Sequence, residues 1–206
     1  MIHNKKELKF YLRADEIMNE QVFPQSRLKR LLTPNPIQTF LRNLRKLEFY
    51  SYKKGQNKLY TIVWFFYKIR HHNLSIKLGF DIPINTLGYG CRIAHQCGII
   101  INGNTKIGNY CCLYRVSFAD AQPKRIGNKV FIGTNVVVAK KIEVADGTTI
   151  SAMSFLNQSI TNKNELWGGI VAKKIKDSKP WTEEYPYCEN INRCELLKKS
   201  MGLTNI

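Results

Sequence analysis

From Asp81 to about Ile175 the chain keeps a six-residue beat of hydrophobic and polar positions. Counting hexads from Asp81, first positions fall on Leu87 and Ile93 and, after a two-residue step, on Ile101, Ile107, Leu113 and Ala119. One extra residue later the register resumes at Ile126, Ile132, Val138, Val144, Ile150 and Leu156. Nearly all are aliphatic. The second position is often small (Gly88, Gly108, Gly127, Gly133, Ser151), and the fifth is small or β-branched (Cys91, Thr105, Cys111, Val130, Val136, Thr148, Ser154). This hexapeptide repeat predicts a parallel β-helix. Each hexad supplies a short strand and a turn, three hexads close a triangular coil, and the stacked coils fill a narrow interior with first-position aliphatics. Polar residues such as Asn128 and Asn135 are expected at tight corners, where unusual φ values occur. A sandwich of short strands has no reason to hold this spacing through thirteen starts.

Before the repeat the period is helical. Leu8, Tyr11, Leu12 and Met18 predict a helix from Lys5 to about Glu20, with a break at Pro24. A second helix starts at Pro36, which suits a first turn. Ile37, Phe40, Leu41, Leu44 and Leu47 form its apolar stripe, with Arg42, Arg45 and Lys46 expected to face away. Leu59 to Ile69 is a nearly unbroken apolar and aromatic run, bounded by Lys58 and by Lys68, Arg70, His71 and His72. It is too short to span a bilayer, which needs about twenty residues. Two readings stay open: a helix buried against the bottom of the β-helix or a neighbouring subunit, or a basic-flanked helix resting on a membrane surface. On either, the two histidines are flanking residues without chemistry. The expected organisation is a helical, basic segment over 1–78, the β-helix over 79–176, and a tail over 177–206 that folds back as a helix or an extended arm.

Charge narrows the partners. The chain carries 32 Lys and Arg against 15 Asp and Glu, a net +17, and residues 1–80 hold 16 basic and 5 acidic side chains. That field suits an anionic membrane surface, a polyanionic glycan or a phosphorylated acceptor. Nucleic acid is disfavoured, because no zinc-finger spacing, RNP-like sequence or basic coiled coil is present. No signal peptide opens the chain, so the six cysteines are expected in a reducing cytoplasm. Cys91 and Cys111 read as core residues, and Cys188 and Cys194 lack partners at metal-ligand spacing.

The repeat breaks twice, and a solenoid that breaks register extrudes backbone there. The first break, His95-Gln96-Cys97-Gly98, holds the repeat's only histidine; the second, Asp120 to Arg125, reads as a short basic loop. A lone histidine is usually structural, but one extruded from a closed scaffold with no other general base is a catalytic candidate. The stretch DIPINTLGYGCRIAHQCGIIINGNTKIG resembles the serine acetyltransferase family, and GGIVAKKI resembles its closing Gly-Val-Pro-Ala-Arg/Lys segment, with Val171 in place of proline. The resemblance covers roughly residues 60–176. It implies a left-handed β-helix, acetyl-CoA as donor without a metal, a homotrimer with sites between subunits, His95 as general base and Asp81 as its partner. Backbone N–H groups near Gly98 are candidates for stabilising an oxyanion.

Coil counting, eighteen residues per turn, predicts that Thr134, Ala152 and Ile170 line one edge beside Gly133 and Ser151. Under the resemblance that edge accommodates the pantetheine arm, with Lys173 and Lys174 meeting the CoA phosphates. The departures concern the acceptor. Ala94 replaces the Asp that precedes the family's catalytic His, and the Arg-His-Pro-Lys loop is reduced to Ala121-Gln122-Pro123-Lys124. Tyr114 and Arg115 stand where sugar-acetylating relatives have a His. With Gln122 they become candidates to bind a sugar of a cell-surface or capsular polysaccharide or its precursor. Serine acetylation and a non-catalytic scaffold are the alternatives.

Overall fold

The computed structural model describes residues 1–20, 35–96 and 98–203. The expected break at Pro24 lies outside them. The repeat forms a three-sided parallel solenoid. One face stacks Phe80–Asp81 (β1), Ile99–Ile100 (β3), Val116–Phe118 (β6), Val136–Val138 (β9) and Phe155–Leu156 (β12). A second stacks Thr105–Ile107 (β4), Lys124–Ile126 (β7) and Ile142–Val144 (β10). The third stacks Arg92–Ile93 (β2), Cys112–Leu113 (β5), Phe131–Ile132 (β8), Thr149–Ile150 (β11) and Glu165–Gly168 (β13), and ends on Lys173–Asp177 (β14), which returns antiparallel. The first-position aliphatics align coil on coil: Ile93 beside Leu113, Leu113 beside Ile132, Ile132 beside Ile150. These four are buried. The two breaks are absorbed as extra residues in single coils, so the ladder resumes in register above each.

The corners are held by side chains from the next coil. Asn109 Oδ1 accepts from the Tyr89 N–H, Asn128 Oδ1 from the Asn109 N–H and Asp146 Oδ1 from the Asn128 N–H, at 3.1, 2.9 and 2.7 Å. Each bond satisfies a backbone donor that the parallel ladder leaves unpaired at the turn. Asn135 takes a left-handed φ of 57° as expected, whereas beside Asn128 it is Lys129 that does so, at 56°. Gly108 is required for another reason: a Cβ there would fall 2.5 Å from the Gly127 carbonyl of the next coil.

Three helices close the lower end. α1 spans Lys5–Met18, capped by the Asn4 side chain; α2 spans Pro36–Lys53, capped by Asn35 with Pro36 in its first turn; α3 spans Lys58–Leu78. The α2 stripe of Ile37, Phe40, Leu41 and Leu44 joins Phe80, Ile82 and Leu87 of the first coil in the main core. Complete burial of Phe40 alone contributes about 1.5–3 kcal/mol. Arg45 corrects the sequence reading. It does not face away but is completely buried, its Nε 2.7 Å from Asp15 Oδ2 on α1 and its Nη1 3.1 Å from Glu48 Oε2. The same guanidinium donates to the Leu87 and Gly88 carbonyls, pinning the helical cap to the first coil. A charge buried beside an apolar stripe is tolerable only because its donors are paired.

α3 settles one of the readings left open for it. It packs one side against α2, with the Tyr67 ring stacked on Tyr50 at 5.5 Å, and only Leu78 is fully buried. Its last turns, with Leu74 and Leu78, meet the first coil, but the run from Leu59 to Ile69 is not buried against the bottom of the coils. The tail folds back as a helix: a 3-10 turn at Trp181–Glu183 leads to α4, Tyr187–Ser200, which packs with α1 in a second apolar cluster around Tyr89, Tyr110 and Cys112.

Candidate active site

His95 stands in the turn between β2 and β3, on the corner where the third face passes to the first. The same corner of later coils carries Tyr114 and Arg115 between β5 and β6, Gly133 and Thr134 between β8 and β9, and Ser151 and Ala152 between β11 and β12. Residues proposed from sequence for three different tasks thus share one edge. The imidazole is exposed and not packed inward. Its ring lies 5.5 Å from the Tyr114 ring, which is backed in turn by Phe131 at 5.4 Å. The Arg115 side chain lies directly over Gly98, where a Cβ would meet its Nε at 2.6 Å. Glycine at this position, with φ of 77°, lets the arginine lie flat beside the His95 turn.

Asp81 lies on the neighbouring strand β1. The Gly98 N–H donates to the Gly79 carbonyl at 3.0 Å, and β1 pairs with β3 so that Asp81 lies beside Ile100. The carboxylate is exposed, and among the described residues no hydrogen bond or ion pair joins it to His95. Asp81 also acts electrostatically on His71 of α3. That ring is held by the Ile82 carbonyl 3.1 Å from Nε2, and its Nδ1 is buried with no partner among the described residues. Burial depresses the His71 pKa, with the Ile82 carbonyl, Glu48 and Asp81 pulling weakly the other way.

The edge has features suited to an extended ligand. A Cβ on Gly133 would fall 2.6 Å from the Ala152 backbone nitrogen, so only glycine keeps the coils this close. Thr134 and Ala152 are exposed, and their backbone N–H groups have no partner among the described residues. Two sequence expectations need correction here. Ile170 does not stack on Ala152; it bridges to Phe155, because the last coil is shorter than eighteen residues, and its side chain is 81% exposed at the end of the edge. Lys174 is not open to an anion: its Nζ lies 2.7 Å from both Glu165 Oε1 and Asp177 Oδ1. Those two carboxylates raise its pKa, and Lys174 in turn lowers that of Glu165. Lys173, exposed on the same strand, has no side-chain partner among the described residues.

The second break is less basic than its sequence suggests. Lys124 is completely buried, with Nζ 2.7 Å from Asp120 Oδ1 and 3.0 Å from the Gln122 carbonyl. That ammonium and the Lys140 N–H lower the Asp120 pKa to about 2. Gln122 is exposed on this closed loop. Phe131, which backs Tyr114, was not singled out from sequence. Counting outward-facing strand residues through the two insertions, Arg92 to Cys112 to Phe131, is the signal that finds it. Among the described residues no group of three His, Cys, Asp or Glu is placed to hold a metal ion.

The serine acetyltransferase of Neisseria gonorrhoeae is similar over 87% of this chain and 70% of its own, with a TM-score of 0.66 at 19% identity. The fold is that of the serine acetyltransferases. The enzyme from Brucella abortus strain S19 is similar over 84% of this chain and 69% of its own, with a TM-score of 0.64 at 18% identity. The same Brucella enzyme in complex with coenzyme A gives 84%, 68%, 0.64 and 18% in the same order. The architecture is accordingly the left-handed β-helix expected from sequence, with an N-terminal helical segment and a C-terminal helix. No protein-family model and no curated protein matches the chain.

Proposed function

We propose that the chain is an acetyl-CoA-dependent O-acetyltransferase whose acceptor is a hydroxyl on a sugar of a cell-surface or capsular polysaccharide or its precursor. The observation that carries this reading is the exposed His95 imidazole at the head of a solenoid edge that also offers a close-packed glycine and backbone donors unpaired among the described residues. His95 accepts the proton of the acceptor hydroxyl as its oxygen bonds to the acetyl carbonyl carbon. The carbon–sulfur bond then breaks, and the imidazolium returns the proton to the departing thiolate. Asp81 orients the imidazole and favours its charged form. Their hydrogen bond forms only with substrates in place. The Thr134 and Ala152 N–H groups fit the amides of an extended pantetheine, and Lys173 faces the phosphates as a point charge.

The sugar preference rests on the acceptor side. Ala94 supplies no carboxylate for an amino group, the Asp120 to Lys124 loop consumes its own charges, and Tyr114 offers a ring face beside His95. Tyr114 and Arg115 are the proposed acceptor contacts; Gln122, on the corner between the first and second faces, joins them only from a neighbouring subunit. Exposed Ile100, Ile170 and Val171 near this edge support a homotrimer with sites between subunits. The serine reading is favoured by the activity for which the structural neighbours are named. A thiol-release assay offering L-serine beside a panel of sugars separates them. Turnover of a sugar with serine inert is the expected result; turnover of serine at cellular concentrations overturns the sugar preference.

A further inference from the structure

α3 presents an unusual outer surface. Leu59, Ile62, Phe65, Phe66, Ile69 and Ile76 are all exposed, Ile62 by 67% and Phe66 by 56%. On a helix of 3.6 residues per turn they share one side, and from Leu59 to Ile76 the stripe runs roughly 25 Å. Globular surfaces rarely leave so long an apolar stripe open without a partner for it. The helix carries Lys58, Lys68, Arg70 and Lys77 and no Asp or Glu. Trp64 projects from the opposite, packed side of the helix, with the Lys54 and Lys68 ammoniums 4.4 and 5.0 Å from its ring. No helix among the described residues is long and apolar enough to cross a membrane.

We infer that this face of α3 is a docking surface for an anionic lipid bilayer, lying in the interface plane with its apolar stripe among the upper acyl chains and its lysines and arginine at the headgroups. Apolar burial and cation attraction act together in such helices, and neither suffices alone. Charge decides against the other occupant, a second copy of this chain. Pairing α3 with itself brings basic margin onto basic margin with no carboxylate on either helix, whereas an anionic surface neutralises every one of those cations. The geometry carries a consequence for the edge described above: α3 ends at Leu78, its Gly79 cap carbonyl accepts from Gly98, and β1 begins at the next residue. A docked α3 therefore holds the His95 turn beside the headgroups, where a lipid-linked acceptor is presented. That consequence rests on the acetyl-transfer reading; the docking itself does not.

The test is co-sedimentation of the full chain with phosphatidylcholine vesicles, with and without about a third of phosphatidylglycerol, at low and physiological salt. Binding only to the anionic vesicles, weakened by salt, is expected. Ile62→Glu with Phe66→Glu abolishes it, and Lys68→Glu with Arg70→Glu weakens it by roughly fivefold or more for each cation removed. Both pairs are surface changes that leave the circular dichroism spectrum and the oligomeric mass as in wild type. Failure of the wild type to bind anionic vesicles at low salt overturns the inference, as does binding indifferent to both double variants. A loss of oligomeric mass in Ile62→Glu with Phe66→Glu while vesicle binding persists also overturns it and assigns the face to a second copy. Acetyl transfer is not read in this experiment, so its outcome is independent of the proposed activity.

Discussion

Replacing Arg45 by Met keeps most of the side-chain volume but leaves Asp15 and Glu48 facing each other in the interior without their shared cation. The wild-type guanidinium donates to both carboxylates and to the Leu87 and Gly88 carbonyls, and all three charged side chains are buried. Removing one partner of a buried ionic set costs about 3–5 kcal/mol. At about 2–4 °C per kcal/mol for a chain of this size, the melting temperature is expected to fall by roughly 6–20 °C at neutral pH. The penalty depends on pH in a stated direction. Desolvation raises the Asp15 pKa, with Arg45 pulling it down. A carboxyl raised in the folded state stabilises the fold below its ordinary range and loses that contribution as pH climbs through the raised value. In Arg45→Met the downward pull is gone, so the gap to wild type is expected to narrow from pH 8 to pH 5, as the buried carboxyl takes up its proton. The triple change Arg45→Met, Asp15→Asn, Glu48→Gln recovers much of the loss, because the amide oxygens can still accept from the Gly90 and Asn85 N–H groups that now donate to Asp15 and Glu48. Urea denaturation followed by circular dichroism at the two pH values is the assay. A single-variant cost under about 1 kcal/mol, or an equal cost at both pH values, refutes the reasoning.

Two further outcomes follow from the edge. Gly133→Ala forces apart two coils whose backbones leave no room for a Cβ, so CoA binding measured by calorimetry is expected to weaken at least tenfold; unchanged affinity would remove that edge from the CoA path. Lys173→Ala is expected to raise the KM for acetyl-CoA severalfold with melting unchanged. Lys174→Met, which frees Glu165 and Asp177, lowers the melting temperature and leaves that KM alone; the reverse pattern exchanges the two roles.

The solenoid was legible because its signal is periodic and every coil repeats it: Ile93, Leu113, Ile132 and Ile150 must all point inward, and a six-residue beat says so directly. The extrusion at His95 was legible as an interruption of that beat. What escaped was whatever depends on contacts between distant segments. Arg45 sits beside an apolar stripe at a position where helical spacing alone assigns solvent, and only α1 arriving with Asp15 reverses that. Lys174 looks like a phosphate ligand until β14 folds back and brings Glu165 to it. Ile170 was misplaced by a constant count of eighteen, because the last coil is shortened where the ladder ends. The exposed side of α3 is the converse case: its run of apolar residues left burial and a membrane surface both open, and the chain packs only one side of it.

The central claim is that His95 performs the proton transfer in an acetyl-transfer reaction, and the most direct measurement is the rate of CoA release from acetyl-CoA by wild type and His95→Ala, with the sugar panel and L-serine as acceptors. Removal of a positioned general base is expected to lower the rate roughly 10²–10⁴-fold, with the folded spectrum and CoA affinity retained. Equal rates for the two proteins, at the background of the uncatalysed reaction, would contradict the account and leave a solenoid that binds without catalysing.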